Sequence, residues 1–315
     1  MKLEKKIDRF TKDQTRNWEL ARKNYADLGS IEKRNFVFDG FRVVAQFNPG
    51  RIRSSAAKTD RTSISERPCF LCKANRPEEQ LGIDFQGKYE ILVNPYPIFE
   101  QHLTIVGYEH VPQHFDGRLR DMLALAEALP EFTIFYNGPK CGASAPDHFH
   151  FQAGQKGAMP VELELNDLLK SNAELLVSLP STQVFALAES YLRKLIVLQS
   201  TDQGELVLLV EKILQLLPQN ETDDEPMMNV LVNFDGAQWQ VLLFPREKQR
   251  PCQYFREGRE QILMSPASVE MGGLAILPRK EDFEKITKAD LADIYKQVSL
   301  NDEAFNRIKA KIRND

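Results

Sequence analysis

Apolar positions along the chain change period several times, and each change marks an element. Over residues 3–28, Ile7, Phe10, Trp18, Ala21, Tyr25 and Leu28 recur at three- and four-residue spacing, with polar Gln14 at the one missed position. That spacing predicts an amphipathic helix packed across a sheet and stopped at Gly29-Ser30. The apolar runs 36–38 and 41–47 flank Asp39-Gly40, a hairpin turn signal. Residues 89–93 and 103–106 read as a second strand pair around the Pro-bearing turn Asn94-Pro95-Tyr96-Pro97. Residues 119–129 have helical spacing, and 132–136 form a strand. The Leu-rich stretch 160–217 predicts three helical segments, around 163–169, 184–197 and 206–217. An acidic linker, Asn220 to Pro226, leads to a hairpin across Asp235-Gly236, and helices from an N-cap at Thr287 close the chain.

One segment carries two patterns at once. In Asn137 to Ser144, Gly138 and Gly142 permit close approach and positive φ, so several backbone N–H groups can converge on one anion. In His148 to Gln152 the alternation is strict. On a strand, His148, His150 and Gln152 then share one face while Phe149 and Phe151 enter a core. Two imidazoles and an amide beside an anion-binding turn are the layout of a phosphate-transfer site.

Composition narrows the setting. With 42% hydrophobic and 27% charged residues over 315 positions, the chain can bury a sizeable core. A net charge of −4, with Lys and Arg spread throughout, argues against a nucleic-acid partner. No apolar run is long enough to span a bilayer, and the charged N-terminus is not a signal peptide, so no membrane partner and a cytoplasmic setting are expected. Four cysteines are no disulfide framework, but Cys69 and Cys72 are spaced to bite one tetrahedral metal. A redox pair and two buried thiols are the alternatives. On the residues alone, Arg51 and Arg53 are solvated surface charges, and residues 54–66 are a loop able to close over a ligand.

The stretch 136–152 resembles the His-x-His-x-Gln signature of the galactose-1-phosphate uridylyltransferase branch of the histidine-triad superfamily. Its Gly-Ala-Ser turn resembles the diadenosine tetraphosphate and GDP-L-galactose phosphorylases of that branch, and residues 265–283 resemble the C-terminal part of the latter. The resemblance implies an α+β fold, a histidine-triad-like antiparallel sheet with flanking helices in two pseudo-repeated halves. Residues 1–158 would be the catalytic half, 159–226 a helical connector, and 227–315 a degenerate second half. It implies His150 as a nucleophile that becomes nucleotidylated, with Gln152 and Ser144 assisting. Nucleotide or phosphate would be bound by Asn94, Asn137, Gly142, Ala143, Arg51 and Arg53. A structural zinc would be held by Cys69, Cys72, His110 and His148. The implied substrates are a nucleotide sugar or dinucleoside polyphosphate, with inorganic phosphate or a sugar phosphate as acceptor; a homodimer is left open. A non-catalytic nucleotide-binding regulatory protein on the same fold is the alternative.

Overall fold

The computed structural model of the protein describes residues 3–52, 63, 64, 66–187 and 190–314. Strands β1 (Glu32–Val37) and β2 (Arg42–Phe47) are followed by β3 (Gly82–Phe85), β4 (Tyr89–Val93), β5 (His102–Gly107), β6 (Phe132–Asn137) and β7 (His150–Gln155). Then come β8 (Glu174–Ser178), β9 (Thr182–Leu187), β10 (Leu195–Ser200), β11 (Met228–Phe234), β12 (Trp239–Pro245) and β13 (Leu274–Leu277). Strands β3 to β12 make one sheet of order β3-β4-β5-β7-β6-β11-β12-β10-β9-β8. Every pairing in it is antiparallel. Read inward from either edge, the order repeats: β3-β4-β5-β7-β6 in one half, β8-β9-β10-β12-β11 in the other. Helix α1 (Leu119–Ala128) links β5 to β6, and α2 (Gln203–Leu216) links β10 to β11, in matching places. The fold is α+β, a wide antiparallel sheet of two like halves with helices at its flanks.

The alternation in the strands divides the core. Leu103, Ile105, Tyr136, Phe149 and Phe151 face one layer, packed with Met122 and Leu123 of α1 and Leu206 and Val210 of α2. The opposite face is covered in the second half by a small sheet, β1-β2-β13, and by apolar residues of flanking helices. There β12 contributes Leu242 and Phe244. In the first half β7 instead carries His150 and Gln152, and that face opens into a cavity. In the first half that face therefore keeps room for chemistry. The halves are locked together twice: Asn137 to Ile134 of β6 pair with Asn229 to Val232 of β11, and β13 lies parallel to β2.

Two sequence expectations need correction. The N-terminal helix is broken into Leu3–Asn17 and Glu19–Ala26 at Trp18, which is extended at φ −99° and ψ 111°. Trp18 is buried there and lines the cavity. Gln14, the polar residue on the apolar face, is buried and accepts from the Leu81 N–H at 3.0 Å, so its polar group is satisfied. Second, residues 184–197 are strand, not helix: β9 and β10 pair from Thr182↔Ser200 to Leu187↔Leu195. Together with β8, they place sheet where the helical connector was expected. The acidic linker also has structure, because the buried Glu225 carboxylate accepts from Phe115 N at 2.8 Å and Tyr136 Oη at 2.7 Å. Other expectations hold: Gly40 turns its hairpin at φ +79°, and Thr287 Oγ1 caps its helix by accepting from Asp290 N. No helix among the described residues is long and apolar enough to cross a membrane.

Arg246, just past β12, is buried and donates to Val298 O at 3.0 Å, Pro266 O at 3.0 Å, Lys248 O at 3.1 Å and the Asn229 Oδ1. Truncation would orphan several buried acceptors at about 1–3 kcal/mol each. Arg246→Met is therefore expected to lower unfolding free energy in urea by about 3 kcal/mol or more. A loss under about 1 kcal/mol would contradict this accounting.

Candidate active site

The site is built where β6 and β7 part. These strands pair from Phe132↔Gln155 to Phe135↔Gln152, after which Asn137 joins β11 and His150 turns to β5 at Val106. Gln113 fills the gap. Its Nε2 donates to Asn137 O at 3.0 Å and His150 O at 2.9 Å, and its Oε1 accepts from His150 N at 2.8 Å. Nothing in the sequence pointed to Gln113, because its role exists only once the strands diverge.

His150 is buried, and its Nδ1 lies 2.8 Å from the carbonyl oxygen of His148. A carbonyl accepts only, so Nδ1 carries the proton and Nε2 keeps its lone pair. Burial is the main force holding its pKa down, to about 4, so the ring is neutral. Beside it, His102 Nδ1 accepts from Ile98 N at 3.2 Å, which leaves Nε2–H to donate to Gln152 Oε1 at 2.9 Å. Gln152 is thereby oriented with its carbonyl oxygen occupied and its NH2 group left to donate. The His102 pKa is lowered to about 3, first by burial and then by the Arg51 charge. The pair thus keeps one orientation across the ordinary pH range.

A cavity of about 610 Å³ opens over these residues. Trp18, Leu20, Phe70, Leu71 and Pro95 give it apolar walls, while Arg51, Asn94, Ser144, His150 and Gln152 contribute polar groups. Arg51 Nη1 donates to Tyr96 O at 2.7 Å, and burial lowers its pKa to about 10, so it stays a cation. Asn94 closes an Asx turn by accepting from Tyr96 N at 2.9 Å, and its Nδ2 donates to Thr104 Oγ1 at 3.1 Å. Arg53 lies outside the described residues.

The turn after β6 is held from both halves of the chain. Its Cys141 N–H and Ala143 N–H both bond Gly138 O, at 2.8 and 3.4 Å. Asn137 Oδ1 accepts from Asn229 Nδ2 at 3.0 Å and Ser268 N at 2.8 Å, and Ser268 Oγ donates to Tyr136 O at 2.7 Å. Gly142 sits at φ +101°, where a Cβ would meet the Ala267 Cβ at 2.3 Å. Only glycine fits that contact. A second, smaller cavity of about 60 Å³ lies behind, bordered by Arg51, Asn137, Ser144 and Gln152 and by Arg250 and Glu270 of the second half.

The expected metal ligands converge. Cys69, Cys72, His110 and His148 place one ligand atom each within 4.8 Å of all the others. The Sγ of Cys69 is 3.4 Å from His148 Nδ1, the Sγ of Cys72 is 3.3 Å from His110 Nδ1, and the two Nδ1 atoms are 3.3 Å apart. His148 donates its Nε2–H to Gly107 O at 2.8 Å, which fixes Nδ1 as the bare nitrogen facing the thiols. Four such donors can hold a metal ion.

Residues 170–315 match the family model described as GDPGP1-like, C-terminal domain, and residues 10–155 match a domain of unknown function, DUF4922. GDP-L-galactose phosphorylase 1 of Arabidopsis thaliana is 27% identical over 250 residues, covering 76% of this chain and 52% of that protein. The chain thus spans about half the length of that relative. The crystal structure of yeast Ap4A phosphorylase Apa2 shares the fold, with a TM-score of 0.58 at 16% identity over 90% of this chain and 96% of that one. The same enzyme in complex with Ap4A gives 0.55 at 17% identity over 90% and 97%. The chain is thus similar in sequence to GDP-L-galactose phosphorylase 1 and shares its fold with yeast Ap4A phosphorylase.

The buried His102 has a pH signature. Its folded pKa of about 3 lies below the ordinary 6.5, so the unfolded chain binds the proton more readily. Its contribution is full above 6.5 and is lost as pH falls toward 3. Between about pH 7 and pH 5 the wild type is expected to lose about 2 kcal/mol more stability in urea than His102→Gln. Parallel losses in the two proteins would rule the mechanism out.

Proposed function

We propose that the chain is a nucleotidyltransferase of the phosphorylase type, acting on a nucleotide sugar of the GDP-hexose kind or on a dinucleoside polyphosphate. The observation that carries this reading is a neutral His150 with Nδ1–H tied to a carbonyl and the Nε2 lone pair left over, lining a nucleotide-sized cavity. Attack by Nε2 on the α-phosphorus forms an N–P bond as the bond to the bridging oxygen breaks, and hexose 1-phosphate leaves. Inorganic phosphate then attacks the same phosphorus, the N–P bond breaks, and a GDP-hexose has become GDP and hexose 1-phosphate; with a sugar phosphate as acceptor the second product is a new nucleotide sugar in place of GDP. No proton must be taken from the nucleophile. Gln152, its oxygen held by His102, would donate to a non-bridging phosphate oxygen, and Gly142 and Ser144 of the turn would face the developing charge with Arg51. Gln152 cannot act as an acid or base, which favours transfer over hydrolysis. The similarity to GDP-L-galactose phosphorylase and Ap4A phosphorylase supports the substrate class.

The metal we assign to the cysteine cluster is zinc. Tetrahedral zinc with bonds of about 2.0–2.1 Å to N and 2.3 Å to S separates N and N by about 3.3 Å and S and N by about 3.5 Å. The cluster shows 3.3 Å between its ring nitrogens and 3.3–3.5 Å from sulfur to nitrogen. The chemistry zinc supplies there is structural: it would pin Cys69 and Cys72 to His148, whose carbonyl orients His150.

Two tests follow. With His150→Asn, turnover of GDP-glucose or Ap4A with phosphate is expected to fall by at least about a thousandfold, and wild-type initial rates should give parallel double-reciprocal lines. Near-normal turnover, or intersecting lines that require both substrates bound together, would sink the covalent reading. Nucleotide binding without turnover would favour the regulatory alternative. Separately, protein purified without chelator should hold about one zinc per chain, and Cys69→Ser should lower that occupancy. Metal analysis finding no stoichiometric zinc in the wild type would overturn the assignment.

A further inference from the structure

Arg67 reads in the sequence as part of the cysteine knuckle, two residues before Cys69. In the structure it lines the large cavity with Ser144 and His150. Its Nη2 donates to Asp147 Oδ1 at 2.9 Å and to Ser144 O at 3.3 Å, which anchors the guanidinium to the end of the anion turn. Its flat face lies over the Phe70 ring, 4.9 Å from the centroid. The other arm, Nη1, is buried and has no hydrogen-bond partner among the described residues. A buried N–H donor of a cation left unpaired costs free energy, and such groups are rare unless something else completes them. An anion does so best, since the guanidinium fork matches two phosphate oxygens.

We propose that Arg67 is a phosphate-binding residue of this site: its unpaired arm takes a phosphate oxygen of the bound nucleotide, while Asp147, Ser144 O and Phe70 hold the plane in place. The proposal rests on the nucleotidyl-transfer reading only for the identity of the ligand as a nucleotide. Asp147 occupies a single arm, so the pair behaves as a positioned cation and not as a closed ion pair. The carbonyl of Ser144 belongs to the turn after β6, and Ser144 lines the same cavity as Arg67. A phosphate held by that turn therefore lies within reach of the guanidinium.

The test measures how much each phosphate adds to affinity. Calorimetric titration of the full chain with GDP and ADP, and with guanosine and adenosine, gives a nucleotide-over-nucleoside affinity ratio. Arg67→Gln and Arg67→Ala are expected to lower that ratio by about tenfold or more, the size of one charge-assisted hydrogen bond, with nucleoside affinity kept within about twofold. Arg67→Lys, a point charge without the fork, should fall between. An unchanged ratio, or an equal loss for nucleotides and nucleosides, overturns the proposal and makes Arg67 a structural residue. Wild-type turnover with an unchanged ratio in Arg67→Gln would reject Arg67 and leave the transferase reading intact. A reduced ratio without any wild-type turnover would do the reverse. Wild type that binds none of the four compounds rejects both.

Discussion

His150 donates its Nδ1 proton to the carbonyl of His148, two residues back on its own chain, and the geometry around it follows from keeping that bond. The carbonyl must sit at a strand end where it is not spent in a ladder. Gln113 supplies that condition by bonding the His150 backbone with its amide where β6 has turned away. Burial then disfavours the protonated ring, so the neutral tautomer with a bare Nε2 is the ground state and needs no activating carboxylate. The same logic recurs one step out. Ile98 N fixes His102, which fixes Gln152, so both polar groups of β7 are set by chains of donors that end in backbone. Sites held this way lose little freedom when a ligand arrives.

The second half of the chain repeats the sheet topology but serves the first half's site. Leu242 and Phe244 fill the face that His150 and Gln152 leave open in the first half, so packing takes the place of the polar pair there. What it contributes instead is rigidity. Arg246 holds Asn229, Asn229 and Ser268 hold Asn137, and Ala267 presses on Gly142. The turn after β6 is thus clamped by residues more than ninety positions away along the chain. A preformed turn of this kind is what a transferase that must stabilise developing charge requires.

Much of this was legible in the sequence, for definite reasons. Strict alternation in His148 to Gln152 fixed which side chains share a face, and two glycines marked the turn. The four candidate metal ligands could be named by resemblance, and the structure brings them together. The strands at 182–187 and 195–200 were not legible, because leucine runs satisfy both periods; Val184, Ile196 and Val197 were the β-branched signal for strand. The break at Trp18 leaves no mark in the sequence because helical spacing continues across it. Gln113, Asn229 and Arg67 carry no local pattern at all. Their partners lie far away in sequence, and only the assembled sheet gives them a role.

The central claim is that His150 carries the nucleotidyl group between two half-reactions. Intact-mass measurement of the purified chain, after incubation with GDP-glucose or Ap4A in the absence of phosphate, tests it most directly. The expected result is a mass increase of one nucleoside monophosphate that is absent in His150→Asn and discharged when inorganic phosphate is added. An enzyme that turns over these substrates while its mass never changes would contradict it.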